Sequence, residues 1–159
     1  MSVAVFQTPT IVGEAVATKE RNGTRLHAVF TKLPPGKHGF HIHTAGDLRG
    51  EGCQGACDHF HKGVVASHGS APGTRKARHT GDLGNITVGK YSYFLAGVKP
   101  SELWGRSLIV HADEDDLGLG PHDDSKTTGH SGARIGCAIF GRVKPCQTRE
   151  PCQTRKRKR

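Results

Sequence analysis

The chain has no run of 18 apolar residues, so no part of it reads as a membrane-spanning helix. Its first twenty residues, MSVAVFQTPTIVGEAVATKE, lack a basic start followed by an apolar stretch. They do not read as a secretory signal, and the expected location is the cytosol. Hydrophobic residues are scarce at 34%, low for a globular protein. An even cysteine count is also missing: with five, at least one lies outside any intramolecular disulfide. Against these shortages stand 22 glycines and eight prolines, which favour turns and short strands over long helices. The 159 residues suit one compact domain.

Charge is unevenly spread. The net charge is +9, and residues 142–159 carry +7 of it, with eight Lys/Arg and one Glu, leaving about +2 for the first 141 residues. The basic balance is therefore a property of the tail. That tail repeats Pro145-Cys146-Gln147-Thr148-Arg149 at 151–155 and ends in Lys156-Arg157-Lys158-Arg159. So short a repeat cannot fold alone, and its composition is that of a disordered segment. It has two readings: contact with nucleic acid or another polyanion through phosphates, or a solubilising extension.

The strand signals are short. Asn22-Gly23 supplies the positive φ of a tight hairpin turn. Leu26, Ala28 and Phe30 then alternate with His27, Val29 and Thr31. Leu33-Pro34-Pro35-Gly36 breaks the chain, and a strand over 38–43 follows. From Thr44 to Asn85 the sequence is polar and glycine-rich with almost no apolar periodicity; a loop of that length needs something to organise it. Further strands are expected over 91–96, 106–111 and 134–143, with a second polar loop over 112–132.

Eleven histidines are a clear excess, and histidine is the commonest metal ligand. On a strand, His41 and His43 point to one face, so both rings can reach one ion, while Ile42 points into the core. His59, His61 and His68 lie in the glycine-rich loop; His79 and Asp82 add an imidazole and a carboxylate three residues apart. Two His and an Asp completed by one more His make a four-ligand zinc set.

These residues resemble the copper/zinc superoxide dismutase family. HGFHIH (38–43) is similar to its copper-binding strand. Gly52-Cys53 followed by His59-Phe60 is similar to its cysteine and metal-bridging histidine. HTGDLGN (79–85), VHADEDDLG (110–118) and SGARIGCAIFG (131–141) resemble the end of the zinc loop, the last copper ligand with its Asp pair, and the segment of the channel arginine. The resemblance covers residues 1 to about 143.

It implies an all-β Greek-key β-sandwich or barrel, immunoglobulin-like, with long metal-binding and electrostatic loops. The domain would span 1–143 and the basic tail 144–159. It implies copper on His41, His43, His59 and His111, and zinc on His59, His68, His79 and Asp82, with His59 bridging. Asp115 would accept hydrogen bonds from His41 and His68. Cys53 and Cys137 would form a disulfide, with Cys57 as competitor for the Cys53 position. Arg134 would attract superoxide, Thr128 would narrow the opening, and Lys126 would add to the field.

The implied activity is conversion of superoxide to oxygen and hydrogen peroxide by Cu(II)/Cu(I) cycling, a protection against oxidative stress. The alternative is a non-catalytic dismutase-like metal-binding protein or a copper chaperone-like domain. Such relatives usually lose copper ligands or the channel arginine; here all seven ligand residues and Arg134 are present. His27, His38, His61, His122 and His130 match no ligand role and read as surface or loop polarity. A homodimer is implied, although the stretch from Gly81 to His111 and the N-terminal hairpin are shorter than is usual for the family. Compact, tailed members fit a large DNA virus, which would make the location host cytoplasm or virion.

Overall fold

The computed structural model describes residues 1–63, 67–71 and 78–144. The tail repeat over 145–159, with its polyanion and disorder readings, lies outside the described residues. Nine strands are described: β1 Ser2–Gln7, β2 Val12–Glu20, β3 Gly23–Lys32, β4 His38–His43, β5 Asp82–Ile86, β6 Gly89–Ala96, β7 Ser107–His111, β8 Arg134–Ile139 and β9 Gly141–Arg142. They form two antiparallel sheets, ordered β6-β3-β2-β1-β9 and β5-β4-β7-β8. The chain moves between the sheets after β3, β5, β6 and β8, giving the Greek-key sandwich that the resemblance implied. Among the described residues no helix is long and apolar enough to cross a membrane.

Alternation explains the first sheet. Thr24, Leu26, Ala28 and Phe30 on β3 and Ala4 and Phe6 on β1 face inward and are buried. Phe30 of the first sheet packs at 5.4 Å against Phe6 and, edge-on, against Phe40 of the second sheet. That ring chain is the centre of the sandwich. It needs Gly13: β2 is irregular at Val12/Gly13, and a Cβ there would sit 2.5 Å from the Phe30 ring.

Three expectations shift. The hairpin turn is Arg21-Asn22, not Asn22-Gly23: Gly23 already pairs with Glu20, and Asn22 carries the positive φ of 67°. The first polar loop ends at Gly81, because Asp82–Ile86 pairs with β4 as a strand. The segment 134–143 is two strands, because buried Phe140 lies where the chain leaves the second sheet for the first. The β1–β2 hairpin carried no sequence signal of its own.

All six residues of β4 are buried. One face, Phe40 and Ile42, meets the core; the other, His41 and His43, is covered by the loops. That second cover encloses the histidine face of the strand.

Candidate metal centre

The long loop extends the sheet at β4. Phe60 N donates to Ile42 O (2.7 Å), Gly81 N to Phe60 O (2.8 Å) and Ile42 N to Gly81 O (2.9 Å). Gly81 lies so close to the Ile42 carbonyl that no Cβ fits. These bonds set His59 opposite His43 and bring His79 and Asp82 alongside. His111 comes from β7, the other neighbour of β4. His68 is tied to the second polar loop by its N–H to Lys126 O, 2.8 Å.

Each ring of the first set has one nitrogen committed and one aimed inward. His41 Nε2–H donates to Asp115 Oδ2 (2.8 Å), His43 Nδ1–H to Cys57 O (2.7 Å) and His111 Nδ1–H to Gly132 O (3.2 Å). Those donations fix the tautomers. The opposite atoms, His41 Nδ1, His43 Nε2 and His111 Nε2, join His59 Nε2 as buried nitrogens without a hydrogen-bond partner. The four side chains converge, with one donor atom from each within 4.8 Å of the others. Buried polar atoms normally find partners, so four orphans facing one point fit an ion.

The second set is tighter. Asp82 Oδ1 lies 2.8 Å from His59 Nδ1, 3.2 Å from His68 Nδ1 and 3.3 Å from His79 Nδ1, and His59 Nδ1 lies 3.3 Å from His68 Nδ1. A tetrahedral ion with bonds of about 2.0 Å has ligand–ligand edges of about 3.3 Å. Asp82 Oδ2 accepts the Gly69 and His79 backbone N–H groups, leaving Oδ1 for the ion. His59 is the one residue common to both sets.

Charge follows from burial. Burial and the neighbouring His59 push His43 down to about 2; burial also pushes His111 down to about 4 and His41 well below its ordinary value. All three rings are neutral, the state a metal ligand requires. His68 is the opposite case. Burial lowers it, but Asp115 and Asp82 outweigh this and raise it to about 9. In the metal-free protein His68 is an imidazolium. Burial raises Asp82, yet its three histidine contacts carry it far below the usual carboxylate range.

Asp115 receives His41 Nε2–H on one oxygen and His68 Nε2–H on the other, each at 2.8 Å, and so links the two sets from outside. Gly129, with φ 72°, passes so close to both Asp115 and His68 that a Cβ would strike them.

An open cavity of about 600 Å³ leads to the first set. Asp58, Asp124, Lys126, Thr127, Thr128, Gly132 and Arg134 line it beside His43, His59, His79 and His111. Arg134 donates to Cys53 O and Cys57 O, each at 2.8 Å. Cys53 and Cys137 are disulfide-bonded, which fastens the turn Glu51–Ala56 to β8; Cys57 is an exposed free thiol.

The family model for copper/zinc superoxide dismutase matches residues 11–140. The chain belongs to the copper/zinc superoxide dismutase family. A copper/zinc superoxide dismutase of Paramecium bursaria Chlorella virus 1 is 41% identical over 152 residues, covering 90% of this chain and 79% of that protein. A putative member from Orgyia pseudotsugata multicapsid polyhedrosis virus is 45% identical over 118 residues, covering 69% of this chain and 75% of that protein. A crystal structure of the clock protein EA4 superposes with a TM-score of 0.74 at 34% identity, covering 88% of this chain and 92% of that one. The cofactors of this family are copper and zinc, and the two donor sets fit them: four imidazole nitrogens suit copper, and a mixed imidazole–carboxylate tetrahedron suits zinc.

Three contributors escaped the sequence reading. His38 is not surface polarity: it is buried, with Nδ1 2.8 Å from His111 O and Nε2 3.1 Å from Pro34 O, and it braces the backbone of a ligand. Its place in HGFHIH was the available signal. Asn85 exchanges two hydrogen bonds with the Asp115 backbone, at 2.7 and 2.8 Å, and was the unused last letter of HTGDLGN. The Cys57 carbonyl serves both His43 and Arg134, and no side-chain pattern announces a carbonyl.

Proposed function

We propose that this family member dismutates superoxide, with copper held by His41, His43, His59 and His111 and zinc by His59, His68, His79 and Asp82. The observation that carries this is the pair of donor sets sharing His59, one of orphaned nitrogens at the floor of an open cavity and one of tetrahedral spacing behind it. Copper, when bound, supplies one-electron exchange in both directions; zinc has no redox chemistry and serves as structural charge.

The chain's own residues do the rest. Arg134 is partly buried and keeps its cation beside the cavity floor, where it attracts a small anion and orients it. Thr128 lines the opening and limits its width. His59 Nε2 faces the first set and is the atom at which a proton for the peroxide product is held; Asp82 beside Nδ1 keeps the ring in place. Asp115 orients His41 and His68. Two superoxide anions and two protons give oxygen and hydrogen peroxide.

The test is metal analysis and superoxide consumption measured on the same sample. One copper and one zinc per chain with rapid dismutation is expected; both ions bound without dismutation sinks the assignment.

The reading extends to a domain over 1–143 and a basic tail from 144, in the cytoplasm, or in the host cytoplasm or virion for a viral chain. It also includes a homodimer. Trp104 and Ile139 are exposed side chains at one patch: Arg142 lies over the Trp104 ring, and Gly46 backs onto Gly105 and Ile139. Light scattering at micromolar concentration should give twice the chain mass. Polyanion contact through the tail is tested by salt-dependent retention on immobilised DNA with and without residues 144–159; equal retention removes it.

A further inference from the structure

Two buried nitrogens outside both donor sets also lack a hydrogen-bond partner among the described residues: His61 Nε2 and Arg78 Nε. Leaving a buried polar atom unpaired is costly, so each side chain is held in place by what its other atoms do. Those other atoms meet at one place, the turn His79-Thr80-Gly81-Asp82, which carries two residues of the second set. His61 Nδ1 accepts the Thr80 N–H at 3.3 Å. Arg78 donates from one terminal nitrogen to Thr80 O at 2.9 Å and to Asp82 O at 2.6 Å. The His61 ring also stands edge-on to His79, with centroids 5.9 Å apart and planes 72° apart.

Thr80 is the free joint of this turn. Gly81 is bonded to Phe60 and Ile42, and Asp82 pairs with β4, but Thr80 joins neither ladder. All three of its polar groups go to the frame instead: the N–H to His61, the carbonyl to Arg78, and Oγ1 to the Lys62 N–H at 3.0 Å. His61 is in turn anchored from outside the loop. Phe60 before it is bonded to Ile42 and Gly81. Lys62 after it donates through Nζ to Gly97 O at 2.8 Å and to the Glu102 carboxylate at 2.8 and 3.0 Å. The position of Thr80 is thus referred to the β6–β7 connection and to β4.

We propose that His61 and Arg78, neither of them a ligand, are positioning residues that fix the spacing of His79 Nδ1 and Asp82 Oδ1 and so hold the second set to a tetrahedral ion. This rests on the reading of that set as the zinc site. Imidazole and carboxylate come from one four-residue turn and stand 3.3 Å apart, so a rotation of the backbone at Thr80 changes their spacing directly. A four-coordinate ion needs that spacing kept; a wider one admits a water and a higher coordination number. His41, His43 and His111 stand on strands and do not depend on the turn.

The experiment uses the full chain. Zinc affinity is measured by chelator competition. Co(II) is then placed in the second set with Cu(I), which has no visible bands of its own, in the first. Tetrahedral Co(II) absorbs strongly in the visible and six-coordinate Co(II) weakly, so the spectrum reports geometry. The parent should show the strong bands. His61→Phe keeps the ring and removes the acceptor; Arg78→Met keeps the reach and removes the donors. Each should lower zinc affinity about 10-fold, as expected of partners that orient ligands, and weaken the Co(II) bands, with copper content unchanged. His61→Asn returns an acceptor oxygen near the place of Nδ1 and should restore both readouts. The double variant should lose less than the two single losses combined, because both act on one turn. Melting of the metal-free chain is followed alongside. Variants that melt earlier but keep the parent's zinc affinity and Co(II) bands overturn the proposal, as does His61→Asn behaving like His61→Phe. A parent chain that takes copper but no second ion overturns the zinc reading and the proposal with it; a parent that binds tetrahedral zinc or cobalt while both single variants match it overturns the proposal alone.

Discussion

The two sides of His59 are built differently. On the side proposed for copper, His41, His43 and His111 stand on β4 and β7, neighbouring strands of one sheet, and each ring is held neutral by burial and aimed by a bond from its far nitrogen. On the side proposed for zinc, His68 and His79 come from the long loop, and Asp82 opens β5. There the rings crowd a carboxylate, and His68 carries a proton when no metal is bound. The sheet pre-forms one site. The other is a cluster of opposed charges that an ion must complete, with the proton on His68 doing that in part.

The sharpest way to break this comparison is His59→Ala. It removes a donor from each set, so both copper and zinc should be lost and activity should fall by more than the roughly 10–100-fold typical of outer partners. Metal content is the readout; full retention of either ion would mean that the sets do not share this ring.

Asp115→Asn comes next. Its two oxygens serve His41 and His68, and an amide can accept from only one of them. Zinc affinity and copper-dependent activity should both drop by about 10–100-fold, measured by chelator competition and by superoxide consumption. A loss confined to zinc would show that the sheet alone aims His41.

The smallest effects are in protons. Zinc must displace the His68 proton, so binding near pH 7 should release about one proton per ion, read by calorimetry in buffers of different ionisation enthalpy. For the metal-free protein the signs oppose. His43 and His111 titrate below their unfolded value of about 6.5, so their contribution is full above that pH and is lost as pH falls toward 4 and below. His68 titrates above its unfolded value, so its contribution is full below about 6.5 and is lost as pH rises through about 9. Metal-free melting temperature should therefore peak near pH 6.5, and zinc should erase the alkaline decline. A decline that survives zinc would contradict the displacement.

The sequence made the histidine clusters easier to foresee than the architecture. His41 and His43, two apart on a strand, had to share a face, and motif order brought in His59, His68, His79, Asp82 and His111. The sheets were legible only in part: β4 was read with its observed bounds, while β1–β2 has a small-residue pattern that gave no strand signal. Phe140 looked like mid-strand because a change of sheet leaves the apolar pattern intact. His38 was misplaced because a buried imidazole satisfied by carbonyls and a solvated one are the same letter. Asp82 as a strand residue was hidden by its polarity, which burial against three histidines makes favourable.

The Cys57 carbonyl accepts one hydrogen from His43 and another from Arg134. The electron exchange and substrate attraction proposed above would therefore lean on a single backbone oxygen, in a residue whose own φ is positive (59°). The two properties cannot drift independently over evolutionary time. Substitutions around this turn should be epistatic, with a change tuned for redox behaviour altering anion capture as well, and pairs of such changes failing to add.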